Sequence, residues 1–364
     1  MKNLVVLFLI LCVLTSCNTD DSAPQGVNSL DDGCLCLNDI QIIGSHNSYK
    51  IAVEEPILNF LDQFDASLSP ALEYEHIPLN NQLELGLRNL EFDVFYDPVG
   101  GKYSNPQGLD IVAQAGGTPL PFDEDNKLDG PGLKMFHIQD VDFRSHHLLL
   151  VDGLLELKEW SDENQGHIPI IVLINAKDDE IPLTISPLPF TASALGTIDT
   201  EIRSVFAAEQ LISPDLVRGD FESLEDAILQ DGWPELERLK GKILFVLDEN
   251  TAKTELYLQK FPGLRDAVMF VDREEGNPEA AFRVVNDPIR DFDKIQSLVN
   301  LGYLVRTRAD SETAEARAND SERFEKAMGS GAQIISTDYY LPSKLFPSDY
   351  RVVFDDGTYE RIQN

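Results

Sequence analysis

Short apolar runs recur from about residue 37, separated by stretches with the three-to-four-residue spacing of amphipathic helices. The runs cover 40–43, 90–94, 133–136, 168–174, 243–247, 268–271, 303–305 and 333–335. Their length and β-branched content read as strands. Eight strands alternating with helices predict an α/β fold, a (β/α)8 TIM-like barrel forming one catalytic domain over 37–364. Such a barrel takes ~250 residues, so long loops are expected. Polar residues end the runs: His46 and Asn47, Glu91 and Asp93 within the second, His137, Asn175 and Lys177, Asp248, Asp272 and Arg273, Arg306, Arg308 and Asp310, Asp338. Side chains at the C-terminal ends of barrel strands converge on one mouth, where such folds place their chemistry.

The first residues break this pattern. A lysine precedes an apolar run over 4–14 that is too short to span a bilayer, and Leu14-Thr15-Ser16-Cys17 follows. This reads as a signal peptide ending in a lipobox-like cysteine. The chain is therefore expected to be exported and anchored at the bacterial cell envelope or surface through Cys17. A soluble secreted protein is the alternative. Residues 18–36 are polar and read as a tether, and Cys34 and Cys36 are too few for a zinc site. Charge narrows the partners. The 364 residues carry 63 acids against 29 basic residues, a net −34. Such a chain repels nucleic acid, and its acids serve either solubility or a divalent cation.

Glu91 and Asp93 are two apart on a strand and point to one face, while Leu90, Phe92 and Val94 point to the other. Adjacent carboxylates repel unless a cation or proton lies between them, and hard oxygen ligands suit calcium or magnesium. The amide oxygen of Asn47 can add to that set. His46 and His137, at the ends of two strands, form a candidate acid–base pair. His167 precedes a strand, at the opposite rim, and reads as structural; His76, His146 and His147 lie in connecting segments.

These residues sit in blocks that resemble the calcium-dependent phosphatidylinositol-specific phospholipases C of bacteria. The blocks include Gly44-Ser45-His46-Asn47-Ser48-Tyr49, Arg88-Asn89-Leu90-Glu91-Phe92-Asp93-Val94, His137-Ile138-Gln139-Asp140-Val141-Asp142, Gly232-Trp233-Pro234 and Ser336-Thr337-Asp338-Tyr339. They recur in the same order over about 37–345. The resemblance implies a distorted barrel and cleavage of the bond between inositol phosphate and diacylglycerol, yielding diacylglycerol and a cyclic inositol phosphate. It implies His46 as base and His137 as acid, roles that can exchange. It also implies calcium held by Asn47, Glu91, Asp93 and Asn175, with Lys177, Arg308 and Tyr339 lining the substrate pocket. Asn175 stands where the family pattern has an acid, so weaker calcium affinity is expected.

The implied partners are a phosphoinositide-type lipid and a membrane surface, with the protein a monomer. The apolar loop 181–190 leaves the same mouth and can either enter the lipid interface or pack over the rim. A glycerophosphodiester phosphodiesterase would share the histidines and acids, but its His-Arg-Gly start is absent. A surface lipid- or sugar-binding barrel without activity is the alternative from outside the enzymes.

Overall fold

The computed structural model describes residues 35–363. The signal peptide, Cys17 and Cys34 lie outside the described residues, as does the tether up to residue 34. Residues 35 and 36 already belong to the barrel domain: Leu35 O accepts from Leu236 N–H (2.7 Å) and Cys36 bridges Glu235. Ten strands form the sheet: β1 (Ile40–Ser45), β2 (Asn89–Phe95), β3 (Lys134–Met135), β4 (Ile170–Ala176), β5 (Ile243–Leu247), β6 (Met269–Val271), β7 (Phe282–Val284), β8 (Leu304–Arg308), β9 (Ile334–Thr337) and β10 (Glu360–Ile362). Eight of them are parallel neighbours in the order β6-β5-β4-β2-β1-β9-β8-β7. Only the isolated bridge Asp272–Phe282 joins β6 to β7 among the described residues, so the barrel is nearly closed.

The count of eight holds with one exchange. The run at 133–136 is not a barrel strand: β3 is two residues long and pairs antiparallel with β2. The eighth barrel strand is β7, three residues interrupted by Arg283 and following β6 with no helix between them. A strand so short, with no preceding helix, leaves no alternation to read. The small strand β10 adds antiparallel to β1.

Strand alternation drives the packing. Leu90, Phe92 and Val94 of β2 are fully buried in one cluster with Leu79 and Leu83 of the helix Leu79–Leu85 and Leu154 and Leu157 of the helix Leu150–Glu163. Each such side chain contributes roughly 1.5–3 kcal/mol of burial, which fixes Glu91 and Asp93 toward the barrel interior. Gly44 lets β1 reach β2: a Cβ there would lie 2.1 Å from Asn89 O, and Gly44 pairs with Asn89 in the ladder. Among the described residues no helix is long and apolar enough to cross a membrane.

Candidate active site

The turn after β1 sets the first two functional side chains. Ser45 Oγ donates to Gln82 Oε1 (2.5 Å), and Gln82 Nε2 donates to Ser48 O and Ile77 O (2.7 Å each). This buried amide pins the turn, and Asn47 takes the left-handed conformation (φ 47°) that asparagine tolerates. His46 and Asn47 thereby face a polar cavity of about 230 Å³, together with Glu91, Asp93, His137, Asn175, Lys177, Asp248, Asn286, Arg306 and Arg308. All the catalytic, metal and substrate residues named from the sequence but one meet here, whereas the strand-end Asp272 and Arg273 line a separate cavity with Glu249 and Arg283.

Tyr339 is the exception. Its ring is buried between Phe346 and Tyr350 (centroids 6.0 Å from each) and belongs to the wall of a neighbouring cavity with Tyr74, His76 and Tyr340. It follows the end of β9, where the chain has left the strand, and its ring joins this aromatic cluster and not the His46 cavity.

Each histidine is backed by a carboxylate. His46 Nδ1 lies 2.9 Å from Asp338 Oδ1, and His137 Nδ1 lies 2.7 Å from Asp142 Oδ2. With Nδ1–H donating to the acid, Nε2 of each ring is left for the cavity, to accept a proton when the ring is neutral or to give one when it is imidazolium. His46 is further fixed by His76, whose Nε2–H donates to His46 O (2.6 Å). The Arg308 guanidinium reaches Asp338 Oδ2 (3.1 Å) and stands 3.5 Å from His46 Nε2. Burial, reinforced by Arg308, holds His46 well below the usual histidine pKa, so the ring is neutral at pH 7. Asp310 sits behind this group, accepting from Asp338 N–H (2.9 Å) and from the Thr337 hydroxyl.

The acids lie across the cavity. Glu91 accepts from Arg306 and from Asn175 Nδ2 (3.1 Å), and Asp93 pairs with Lys177 (3.4 Å). Asp93 raises the Lys177 pKa and keeps it cationic. Burial pushes Asp248 up to about 7, opposed by Arg306 and aided by Glu91. Asn47 Nδ2 donates to Tyr74 OH (2.8 Å), while its buried Oδ1 has no donor among the described residues. No three His, Cys, Asp or Glu side chains gather as a metal cluster among the described residues. The oxygen donors here are carboxylates mixed with amides.

Four residues of this site carried little signal in the sequence. Arg306 and Asp338 were visible only as strand ends, and nothing local marks them as partners of Glu91 and His46. Asp142 backs His137 through a tight turn, where Ile138 and Asp142 bridge and Asp140 has φ 69°. Lys50, fully buried 3.2 Å from Asp142 Oδ1, follows a hydrophobic tyrosine and shows no motif of its own. His167 is structural, bonded to Ser161 Oγ (2.8 Å) and Ile168 O (2.6 Å).

A barrel mouth with two carboxylate-backed histidines among three acids and three basic side chains is the site of an acid–base enzyme. The pattern of the family described as phosphoinositide phospholipase C, Ca2+-dependent, matches residues 35–364, and the chain belongs to that family of phospholipase C enzymes. Two solved structures share the fold. One is a calcium-dependent phosphoinositol-specific phospholipase C from a Gram-negative Pseudomonas species, at 15% identity and a TM-score of 0.54, covering 90% of this chain and 95% of that one. The other is a Ca2+-dependent phosphatidylinositol-specific phospholipase C from Streptomyces antibioticus, at 17% identity and a TM-score of 0.51, covering 88% and 100%. Among curated proteins, none matches.

Proposed function

We propose that the protein cleaves the phosphodiester of an inositol phospholipid or glycolipid, releasing diacylglycerol and a cyclic inositol phosphate. The observation that carries this reading is the pair of carboxylate-backed histidines on one polar cavity, in a chain of this family. His46, kept neutral by burial and Arg308, is the base that takes the proton of the inositol 2-hydroxyl as its oxygen attacks phosphorus. His137 gives a proton to the diacylglycerol oxygen as the P–O bond breaks. Arg308 and Lys177 offer charge to the phosphate and donors to the inositol ring.

Calcium fits the donor set. The buried Asn47 Oδ1 has no donor among the described residues, and it lines the same cavity as Glu91, Asp93 and Asn175. These four would hold the ion through hard oxygens. When bound, calcium supplies positive charge for the phosphate oxygens. The test is release of water-soluble inositol phosphate from phosphatidylinositol vesicles, with and without a calcium chelator. Release that falls under chelation and returns with excess calcium is expected. Release indifferent to chelation sinks the calcium role and leaves the histidines standing; no release from any inositol lipid sinks the reading itself.

The membrane partner follows from the same reading, with the protein exported and lipid-anchored through Cys17. Loop 181–190 does not offer Phe190, which is buried against Tyr96 (5.9 Å) with its N–H held by Asp178 (2.8 Å). The exposed apolar side chains there are Leu183 (54%) and Ile185 (37%), and Val99 (82%) lies on the loop that leaves the same end of β2. Ile185 is braced on the turn after His137, its N–H donating to Asp140 Oδ2 (2.6 Å). Replacing both Leu183 and Ile185 with Asp is expected to slow hydrolysis of vesicles by about 10–100-fold, because only about half of each side chain is left to bury and each then offers about half of the roughly 1.5–3 kcal/mol of full burial. Hydrolysis of a monomeric water-soluble substrate should not change. An equal loss on both substrates would mean that the loop supports the site and does not dock on lipid.

A further inference from the structure

The cavity holds one acid that neither the family pattern nor the ligand set above accounts for. Asp248 follows β5, and its N–H donates to Ile174 O (2.9 Å). Parallel pairing of Asp93 with Asn175 and of Ile174 with Leu247 carries the ladder one step on, to Asn175 beside Asp248. Asn175 therefore stands between two aspartates in one layer of the barrel. All three side chains face the same cavity.

Charge separates the three acids. Glu91 is paired with Arg306, and Asp93 with Lys177. Among the described residues nothing donates to the Asp248 carboxylate and no cation lies within ion-pair distance of it; Arg306, across the same cavity, acts on it only at longer range. Such an acid is completed either by a proton or by a cation, and the half-buried Asp248 carboxylate lines a cavity with room for the cation. A second feature points the same way: Asn47, 1% exposed and lining the same cavity, carries an acceptor oxygen without a donor among the described residues. A lone carboxylate and a lone amide oxygen are a request for a hard cation, which prefers oxygen ligands and reads their summed charge.

We propose that Asp248 is a calcium ligand of this chain, supplying from β5 the negative charge that Asn175 on β4 lacks. This rests on the calcium reading above. It also revises one expectation, since affinity weakened by Asn175 is recovered from the next strand.

Calorimetric titration of calcium chloride into the full chain tests it without recourse to activity. Wild type should bind, and Asp248→Asn should bind about tenfold more weakly or worse, because one ligand charge is gone. Adding Asn175→Asp to Asp248→Asn should bring affinity back to within a few-fold of wild type. Thermal melting without calcium should be no lower for Asp248→Asn than for wild type, which establishes that the variant is folded. Wild-type binding that Glu91→Gln abolishes and Asp248→Asn leaves unchanged overturns the assignment of Asp248 alone. A loss that Asn175→Asp does not restore, or an effect of Asp248→Asn on inositol affinity only, overturns it as well. Absence of calcium binding by wild type overturns the calcium reading itself.

Discussion

His46→Ala is expected to reduce inositol phosphate release by about 10²–10⁴-fold, the usual worth of a positioned general base. The fold should survive, because the ring is at the cavity surface (side chain 17% exposed) and its backbone is held independently. Its N–H donates to Thr337 O (3.0 Å) and its carbonyl accepts from His76. Asp338→Asn is expected to cost a comparable factor by another route. The asparagine amide would donate to His46 Nδ1, moving the ring proton to Nε2 and removing the lone pair that accepts the substrate proton. Both variants should lower kcat far more than they raise KM, since neither residue is asked to hold the ground state. Steady-state kinetics on phosphatidylinositol, with circular dichroism as a check on folding, measures this. A residual rate within tenfold of wild type in His46→Ala would remove His46 from the role of base.

That the histidines were legible in the sequence and their supports were not has a physical cause. His46, Glu91, Asp93 and His137 sit at or beside strand ends, and strand period and hydrophobic pattern are local properties. The pattern Leu90-Glu91-Phe92-Asp93-Val94 states its own orientation. The supports arrive from far along the chain: Asp338 reaches His46, and Arg306 reaches Glu91, only once β8 and β9 have closed against β1. The same limit explains the strand exchange. Residues 133–136 are as apolar as a barrel strand because β3 pairs with β2, with Leu133 and Met135 in the main core and Phe136 stacked on Phe95. β7, by contrast, is short and carries Arg283, whose guanidinium pairs with Asp272 (2.9 Å). The sequence block around Tyr339 suggests the pocket, but just past the end of β9 its ring belongs to the aromatic cluster of Tyr340, Tyr350 and Phe354.

Lys50→Met should produce the largest loss of stability, roughly 3–5 kcal/mol, the cost of removing one partner from a buried ion pair. Lys50 and Asp142 side chains are both fully buried, with Nζ 3.2 Å from Oδ1. That contact is an ion pair without hydrogen-bond alignment, since Asp142 Oδ1 has no hydrogen-bond partner. The ammonium's aligned bonds go to Leu72 O (3.1 Å) and Tyr74 O (3.0 Å), and these carbonyls lose a donor as well. Burial pushes the Asp142 pKa up, but Lys50 and His137 together outweigh it and hold the acid below 3.8. A carboxylate held down in the folded state stabilises the protein above its unfolded pKa, and loses that contribution as pH falls through the lower folded value. The wild type should therefore keep this contribution from neutral pH down to about 3.8 and lose it only below. In Lys50→Met burial is opposed by His137 alone, the acid's pKa rises, and an ionised Asp142 becomes a penalty at pH 7 that protonation relieves. The stability gap between variant and wild type should thus narrow as pH falls from 7 toward 4, which urea unfolding across that range reads directly. Lys50→Met/Asp142→Asn should regain a large part of the lost stability by removing the stranded charge. It should not regain kcat, because His137 then has no carboxylate to orient its ring. A single variant within 1 kcal/mol of wild type, or a double variant as unstable as the single, would show that the buried lysine does not serve as counter-ion to Asp142.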